Sequence, residues 1–210
     1  MLKSPFHRYN LFRNPFGELS REERAELAVV ELSRWQPHFQ DDQSVLQFLG
    51  HCGHGKTTHL LAIQRVLPNA EYIYLPEDGP LPAISNRRPV IIDEAQRLSF
   101  WKLRRVLKAG GPLIVGTHVD LSKAIRQAGL NVVTFNVAAD SSSEQLQEIL
   151  NRRIAASRLG NGTVPRISAE NAVRLRMAFG SDVRAIEHSL YEQFQQYARE
   201  LRPWPPADSQ

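Results

Sequence analysis

Cysteine is nearly absent: Cys52 is the only one in 210 residues, which excludes an internal disulfide and the cross-linked framework of small secreted domains. No apolar run approaches the ~18 residues of a membrane span, and no apolar stretch of leader type follows the early charges Lys3 and Arg8. The expectation is therefore a soluble, cytoplasmic protein with no membrane span. There is no internal repeat and no low-complexity segment, so repeat arrays and disordered tethers are set aside. Acidic residues are in slight deficit, 22 against 26 basic ones for a net charge of +4, a balance that admits a nucleic-acid or acidic-protein partner without requiring either. With 42% hydrophobic residues, a chain of this length can bury one substantial core and a small appended one.

What is present is periodic. Short apolar runs alternate with helical stretches from Ser44 onward: VLQFLG at 45–50, a helix over 56–67 closed by Pro68, EYIYL at 71–75, PVIIDE at 89–94, a helix over 99–109 closed by Gly110 and Gly111, PLIVGT at 112–117, a helix over 121–128 closed by Gly129, and NVVTFNV at 131–137. This order predicts an α/β fold with a five-stranded parallel sheet and flanking helices on both faces. Upstream, residues 1–17 mix aromatics with two prolines and read as an extended arm that packs. Ser20 and Glu23 form a capping box for a helix running to about Ser33, amphipathic enough to cover a sheet. After Val137 the strands stop. Ser142 and Gln145 offer a second capping box for a helix to about Ser157, and Ser168 and Ser181 are N-caps for helices near 169–179 and 182–201. The predicted organisation is an N-terminal arm and covering helix (1–43), an α/β core (44–140), a small C-terminal helical lid (141–202) and a flexible tail (203–210) in which Trp204 is a local anchor.

The stretch Gly50-His51-Cys52-Gly53-His54-Gly55-Lys56-Thr57-Thr58 fits G-x-x-x-x-G-K-[ST], with a strand before it and a helix after it. Glycines at 50, 53 and 55 let the backbone wrap phosphates, so that N–H groups from His54 to Thr58 and the helix N-terminus point at them. Lys56 supplies a compact charge and the Thr57 hydroxyl a ligand for magnesium. A nucleoside polyphosphate with Mg²⁺ is the ligand this turn predicts. The strand Val90-Ile91-Ile92 runs into Asp93 and Glu94. The first is positioned to hold magnesium beside Thr57, the second to orient and deprotonate an attacking water. The blander reading is that Glu94 only caps the following helix. At the end of the fourth strand, Thr117 and His118 both qualify as the polar side chain that touches water and terminal phosphate, with Thr117 preferred. Arg184, at the start of the last helix, either closes over the nucleotide or pairs with Glu187 on its own face.

Together these residues resemble the AAA+ P-loop ATPases. The strings IDEAQRL (92–98), GTHVDL (116–121), EQLQEIL (144–150), ISAENAV (167–173) and GSDVRAIEHSL (180–190) look like the branch that contains transposition-regulator, secretion-assembly and origin-recognition ATPases. The resemblance spans about residues 12–195. It implies a P-loop (ASCE/AAA+) sheet, binding of ATP and ADP with Mg²⁺, and hydrolysis of ATP to ADP and phosphate. It also implies homo-oligomeric assembly and a DNA or protein partner. Thr117 or His118 would then be sensor 1 and Arg184 sensor 2, and Arg126 would be the nearest candidate for the intersubunit arginine finger; the arm around Asn14, Pro15 and Phe16 would lie near the base. The chain departs from the family between Leu75 and Val90, where prolines at 76, 80, 82 and 89 leave little room for a crossing helix. A polymer-threading unfoldase is therefore not expected.

Charge is uneven. Residues 97–126 carry seven basic side chains (Arg97, Lys102, Arg104, Arg105, Lys108, Lys123, Arg126) against the single acid Asp120, and Lys102, Arg105 and Lys108 recur along one helix face. That face tracks a phosphate backbone, binds an acidic partner or is simply solvated. His51, Cys52, His54 and His59 together suggest a metal site, but the first three occupy variable positions of a turn committed to phosphate, so a zinc site is set aside. Three functions remain in competition: an ATPase that assembles and recruits a partner, a non-catalytic nucleotide-gated adaptor, and a small-molecule phosphotransferase. The third lacks an acceptor-binding segment between Leu75 and Val90.

Overall fold

The computed structural model describes residues 4–139, 142–200 and 202; the proposed tail at 203–210, with Trp204, lies outside the described residues. The helices are α1 (Arg21–Glu26), α2 (Lys56–Val66), α3 (Phe100–Lys108), α4 (Ser122–Gln127), α5 (Ser143–Ala156), α6 (Ala169–Phe179) and α7 (Val183–Glu200). The strands are β1 (Ser44–Leu49), β2 (Glu71–Tyr74), β3 (Val90–Asp93), β4 (Leu113–Thr117) and β5 (Asn131–Asn136). The chain divides into two compact units, one of residues 30–140 and one of residues 1–29 with 141–210.

The α/β unit is built on an all-parallel sheet in the order β2-β3-β4-β1-β5. Its strands alternate faces with the period of two that a pleat imposes. Leu46, Phe48, Ile91 and Ile114 point to one side, where Leu60 and Ile63 of α2 cover them with Trp35 and Phe39. Val45, Val90, Ile92, Leu113 and Val115 point to the other, against Val106 and Leu107 of α3 and Ile125 of α4. In the middle of this second face Gln47 is fully buried, and every one of its polar atoms has a use. The two N–H groups of its amide are shared among Asp120, Ser122 and Thr134, at 2.8, 3.1 and 2.9 Å from the nitrogen, and its carbonyl accepts from the Leu121 N–H at 2.7 Å. A polar residue in a core strand thus ties the start of α4 to β1 and β5. Between β2 and β3, residues 75–89 form no helix.

The helical unit has its own core, centred on Phe194 of α7. Phe6, Tyr9 and Phe16 of the arm place their rings 5.7, 5.1 and 6.3 Å from it, beside Leu146, Leu150 and Ile154 of α5 and Ile186 and Leu190 of α7. The arm is folded, not extended: Pro5–Tyr9 makes a 3₁₀ turn capped by Ser4, and Asn14 donates to the Tyr191 carbonyl at 3.1 Å. Arg153, almost fully buried, holds the arm down. Its guanidinium donates to the carbonyls of Pro15 and Gly17 and pairs with Glu187.

Three local expectations need correction. The capping box of Ser20 and Glu23 forms, but α1 has six residues and buries none of them. Just past its end the carbonyls of Ala28 and Val29 accept from the side chains of Arg152 and Gln145, at 2.9 and 3.1 Å, and not from helical N–H groups. The sheet is covered by Trp35, between the turns Leu32–Arg34 and Gln36–Gln40, and by Phe39 in the second of them. The second capping box is one-sided for a related reason: Ser142 accepts from the Gln145 N–H at 3.1 Å, while the Gln145 side chain is spent on Val29. At the start of α7 the Asp182 carboxylate, one residue beyond the expected cap Ser181, accepts from the Ala185 N–H at 3.0 Å.

Replacing Arg153 by Met should lower stability by about 3 kcal/mol, because the truncation strands Glu187 and two carbonyls of the arm. Arg153→Lys should recover little, since one ammonium cannot reproduce the fork. Thermal unfolding with limited proteolysis of the arm would check this, and a wild-type melting profile for Arg153→Met would contradict it.

Candidate functional site at the strand ends

The site lies at the carboxyl ends of β1, β4 and β3, three neighbours in the sheet. Because β4 separates β1 from β3, its tip stands between the glycine-rich turn and the acidic pair. The turn leaves β1 with the Gly50 N–H donating to the Thr117 carbonyl at 3.2 Å. Gly53 and Gly55 adopt φ of 85° and 91°, a region that strains side-chain-bearing residues, and Gly55 is the N-cap of α2. No side chain caps that helix, so its first N–H groups belong to the turn. His54 is half-buried and His51 and Cys52 are exposed on it.

Lys56 is buried and its Nζ turns back over the turn, 3.0 Å from the His51 carbonyl it donates to and 3.2 Å from His118 Nε2. Thr57 Oγ1 donates to Asp93 Oδ2 at 2.7 Å; Thr58 follows, half-buried, in the first turn of α2. Asp93 is wholly buried and accepts two further bonds, from the Tyr72 hydroxyl at 2.9 Å and from the Glu94 N–H at 3.1 Å. A buried carboxyl without such donors would be costly.

Glu94 has a left-handed backbone (φ 64°, ψ 40°), a conformation that costs a non-glycine residue ~1 kcal/mol or more and that swings its side chain toward β4. There the carboxylate meets Gln96 Nε2 at 2.6 Å, His118 Nε2 at 3.2 Å and Arg97 at 3.5 Å. Burial pushes the Glu94 carboxyl up, but the Gln96 amide, His118 and Lys56 outweigh it and hold the group below the usual glutamate value. The base candidate is therefore ionised at neutral pH and latched. His118 Nε2 faces both Lys56 and Glu94, and one nitrogen either accepts from the ammonium or donates to the carboxylate. Thr117, buried, spends its hydroxyl on Val119: it donates to the Val119 carbonyl at 2.9 Å and accepts its N–H at 3.1 Å. Of the two candidates at this strand end, His118 reaches the other site residues.

The structure thus brings together Lys56, Thr57, Asp93, Glu94 and His118. Arg126 does not join them. It is exposed in the last turn of α4, the helix that leads from the site end of β4 back to the opposite edge of the sheet. Arg184 belongs to the helical unit, exposed in the first turn of α7, and Glu187, the partner weighed for it, pairs with Arg153.

Three contributors, Tyr72, Gln96 and Gly116, went unnoticed in the sequence, and a fourth, His59, was considered there only as part of a metal cluster. Tyr72 and Gln96 carry no local signature. His59, one turn into α2, is buried among Trp35, Phe48 and Phe135 and bonds the Gly55 carbonyl through Nδ1 at 2.9 Å. Gly116 did leave a signal, a glycine inside a core strand: a Cβ there would stand 2.8 Å from Leu60 Cδ1 and 2.9 Å from Asp93 Oδ1. No protein-family model and no curated protein matches the chain, so the functional reading rests on this geometry and on the motifs.

Two outcomes follow. Gly116→Val should destabilise the α/β unit by about 1–3 kcal/mol through overpacking, visible as an earlier urea midpoint. His59 is held below its ordinary 6.5 because burial penalises the charged ring; its contribution is complete above 6.5 and is lost as pH falls through the depressed value. Stability should decline as pH drops below 6.5, and His59→Phe should flatten that decline; an unchanged slope would count against the assignment.

Proposed function

We propose that the protein is an AAA+-like P-loop ATPase that binds ATP with Mg²⁺, hydrolyses it, and uses nucleotide-controlled assembly to recruit a DNA or protein partner. One observation carries the reading: the Thr57 hydroxyl and the Asp93 carboxylate meet at 2.7 Å below a glycine turn, with Lys56 and Glu94 on either side of His118. The donor set fits magnesium, a hard cation that prefers a few hydroxyl and carboxylate oxygens and keeps phosphate and water as its other ligands. When bound, the ion neutralises phosphate charge.

The chain's own residues divide the remaining work. Gly50, Gly53, His54, Gly55 and Thr58 present the N–H groups of the turn and of the first turn of α2 to phosphate. Lys56 leaves the His51 carbonyl and His118 for phosphate oxygens. Glu94 orients and deprotonates water, and His118 passes from one neighbour to the other as charge at the site changes. Thr117 sets the loop that carries His118. In this proposal C-terminal helices α5–α7 are the lid, Arg184 is its nucleotide-sensing cation, and Arg126 serves a neighbouring subunit.

The latch on Glu94 also favours a second reading, the non-catalytic nucleotide-gated adaptor, because a carboxylate held by Gln96, His118 and Arg97 is withheld from water until something releases it. A partner that releases it would raise turnover. Turnover and particle size measured with and without duplex DNA separate these readings. Glu94→Gln should reduce hydrolysis about 100-fold or more while leaving Mg·ATP binding intact, and Lys56→Ala should abolish binding. Absence of hydrolysis under every condition, with binding retained, selects the adaptor; indifference of the parent protein to Mg·ATP removes both.

A further inference from the structure

The face of α3 that does not pack on the sheet is unusual in composition. Val106 and Leu107 are buried against the core, with Leu103 beside them. Phe100 and Trp101 stand 64% and 75% exposed, their rings 5.4 Å apart and nearly perpendicular. Phe100, Arg104 and Lys108 follow one another at i, i+4 and i+8, and Trp101 with Arg105 forms the adjacent row, so aromatic and cationic side chains share one surface. Lys102 extends its edge. The helix contains no acid. None of the side chains of Lys102, Arg104, Arg105 and Lys108 has an ion-pair partner among the described residues.

This face costs free energy in the isolated protein. Arg104 and Lys108 repel each other at i, i+4, Lys102 sits in the first turn where the helix dipole disfavours a cation, and two large rings lie in water. An anionic partner with flat apolar faces relieves all three costs. The geometry points to a single-stranded nucleic acid as that partner, its phosphates tracking Arg104, Arg105, Lys108 and Lys102 and its bases stacking on Trp101 and Phe100. A duplex supplies the charge, but its base faces are already stacked and opening a step costs a few kcal/mol. An acidic peptide supplies charge and offers the rings nothing planar. An unpaired strand offers both, and stacking on an aromatic ring is tolerant of sequence. The inference rests on the polynucleotide-partner half of the proposed function and not on hydrolysis.

The contact also lies close to the latch on Glu94. Ser99 caps α3 directly after the turn Ala95–Arg97 that carries Gln96 and Arg97, so a strand seated on the first turn of α3 bears on the segment that withholds the carboxylate.

The test uses the full chain and a fluorescein-labelled oligothymidylate of about 16 nucleotides, long enough for one stacking groove, by anisotropy without nucleotide. The parent should bind it, more weakly as salt rises, and Trp101 emission should be quenched. Trp101→Ala should weaken binding about 5- to 100-fold, the range for loss of one stacked base, and Arg104→Glu with Arg105→Glu should flatten the salt dependence. Both sites are exposed, and a parental melting profile certifies the fold. Several results overturn the inference: no strand binding by the parent, Trp101→Ala binding as tightly as the parent, tighter binding of a duplex of the same length, or Trp101-dependent binding of polyglutamate in preference to the strand. Because hydrolysis is measured separately, a parent that turns over ATP but ignores the strand loses only this inference, and one that binds the strand through Trp101 without turnover loses only the ATPase reading.

Discussion

The carboxyl of Asp93 is the constraint on which the α/β unit turns. It is buried completely, so it must be met by donors or carry a large desolvation penalty, and the donors come from three places: Thr57 on α2, Tyr72 on β2 and the backbone of Glu94. Meeting that demand fixes α2 over the sheet, aligns the edge strand with β3, and orients the peptide that starts the strained turn at Glu94. Even a glycine in β4 is explained by it, since any side chain at 116 would press on the same oxygen.

Much of this architecture was legible in the sequence, and for identifiable reasons. The five strands are short apolar runs punctuated by Pro68, Gly110, Gly111 and Gly129, and such punctuation acts locally, through φ restriction and the loss or freeing of backbone geometry. The glycine turn was legible because its spacing is dictated by backbone wrapping. What stayed hidden depended on distant residues. The carbonyls of Ala28 and Val29, just past the six-residue α1, are taken by Arg152 and Gln145, more than a hundred positions away. Tyr72 reaches Asp93 only because β2 pairs with β3 in the register Tyr72↔Ile91, Tyr74↔Asp93. Thr117 and His118 were both candidates in the sequence because both sit at a strand end. The bond of the Thr117 hydroxyl to Val119 and the contacts of His118 with Lys56 and Glu94 are visible only in three dimensions.

Two buried polar systems serve different ends. Gln47 lies in a core strand and is fully satisfied by Asp120, Ser122, Thr134 and Leu121, which fixes where the loop after β4 departs and therefore where His118 can stand. Around Glu94 the bonds are fewer and shared, with one imidazole nitrogen serving two neighbours. A fully satisfied network rigidifies, whereas a shared one has more than one arrangement of similar energy. The rigid system supports the adjustable one.

The division of the chain has a topological corollary. Residues 30–140 are spliced into the helical unit, whose two pieces precede and follow them, so the sheet is tethered covalently at both ends while the aromatic cluster around Phe194 is assembled from opposite ends of the described chain. During synthesis the arm must wait, its rings unburied, until α7 has been made. The helical unit is therefore completed after the sheet, although part of it precedes the sheet in the chain.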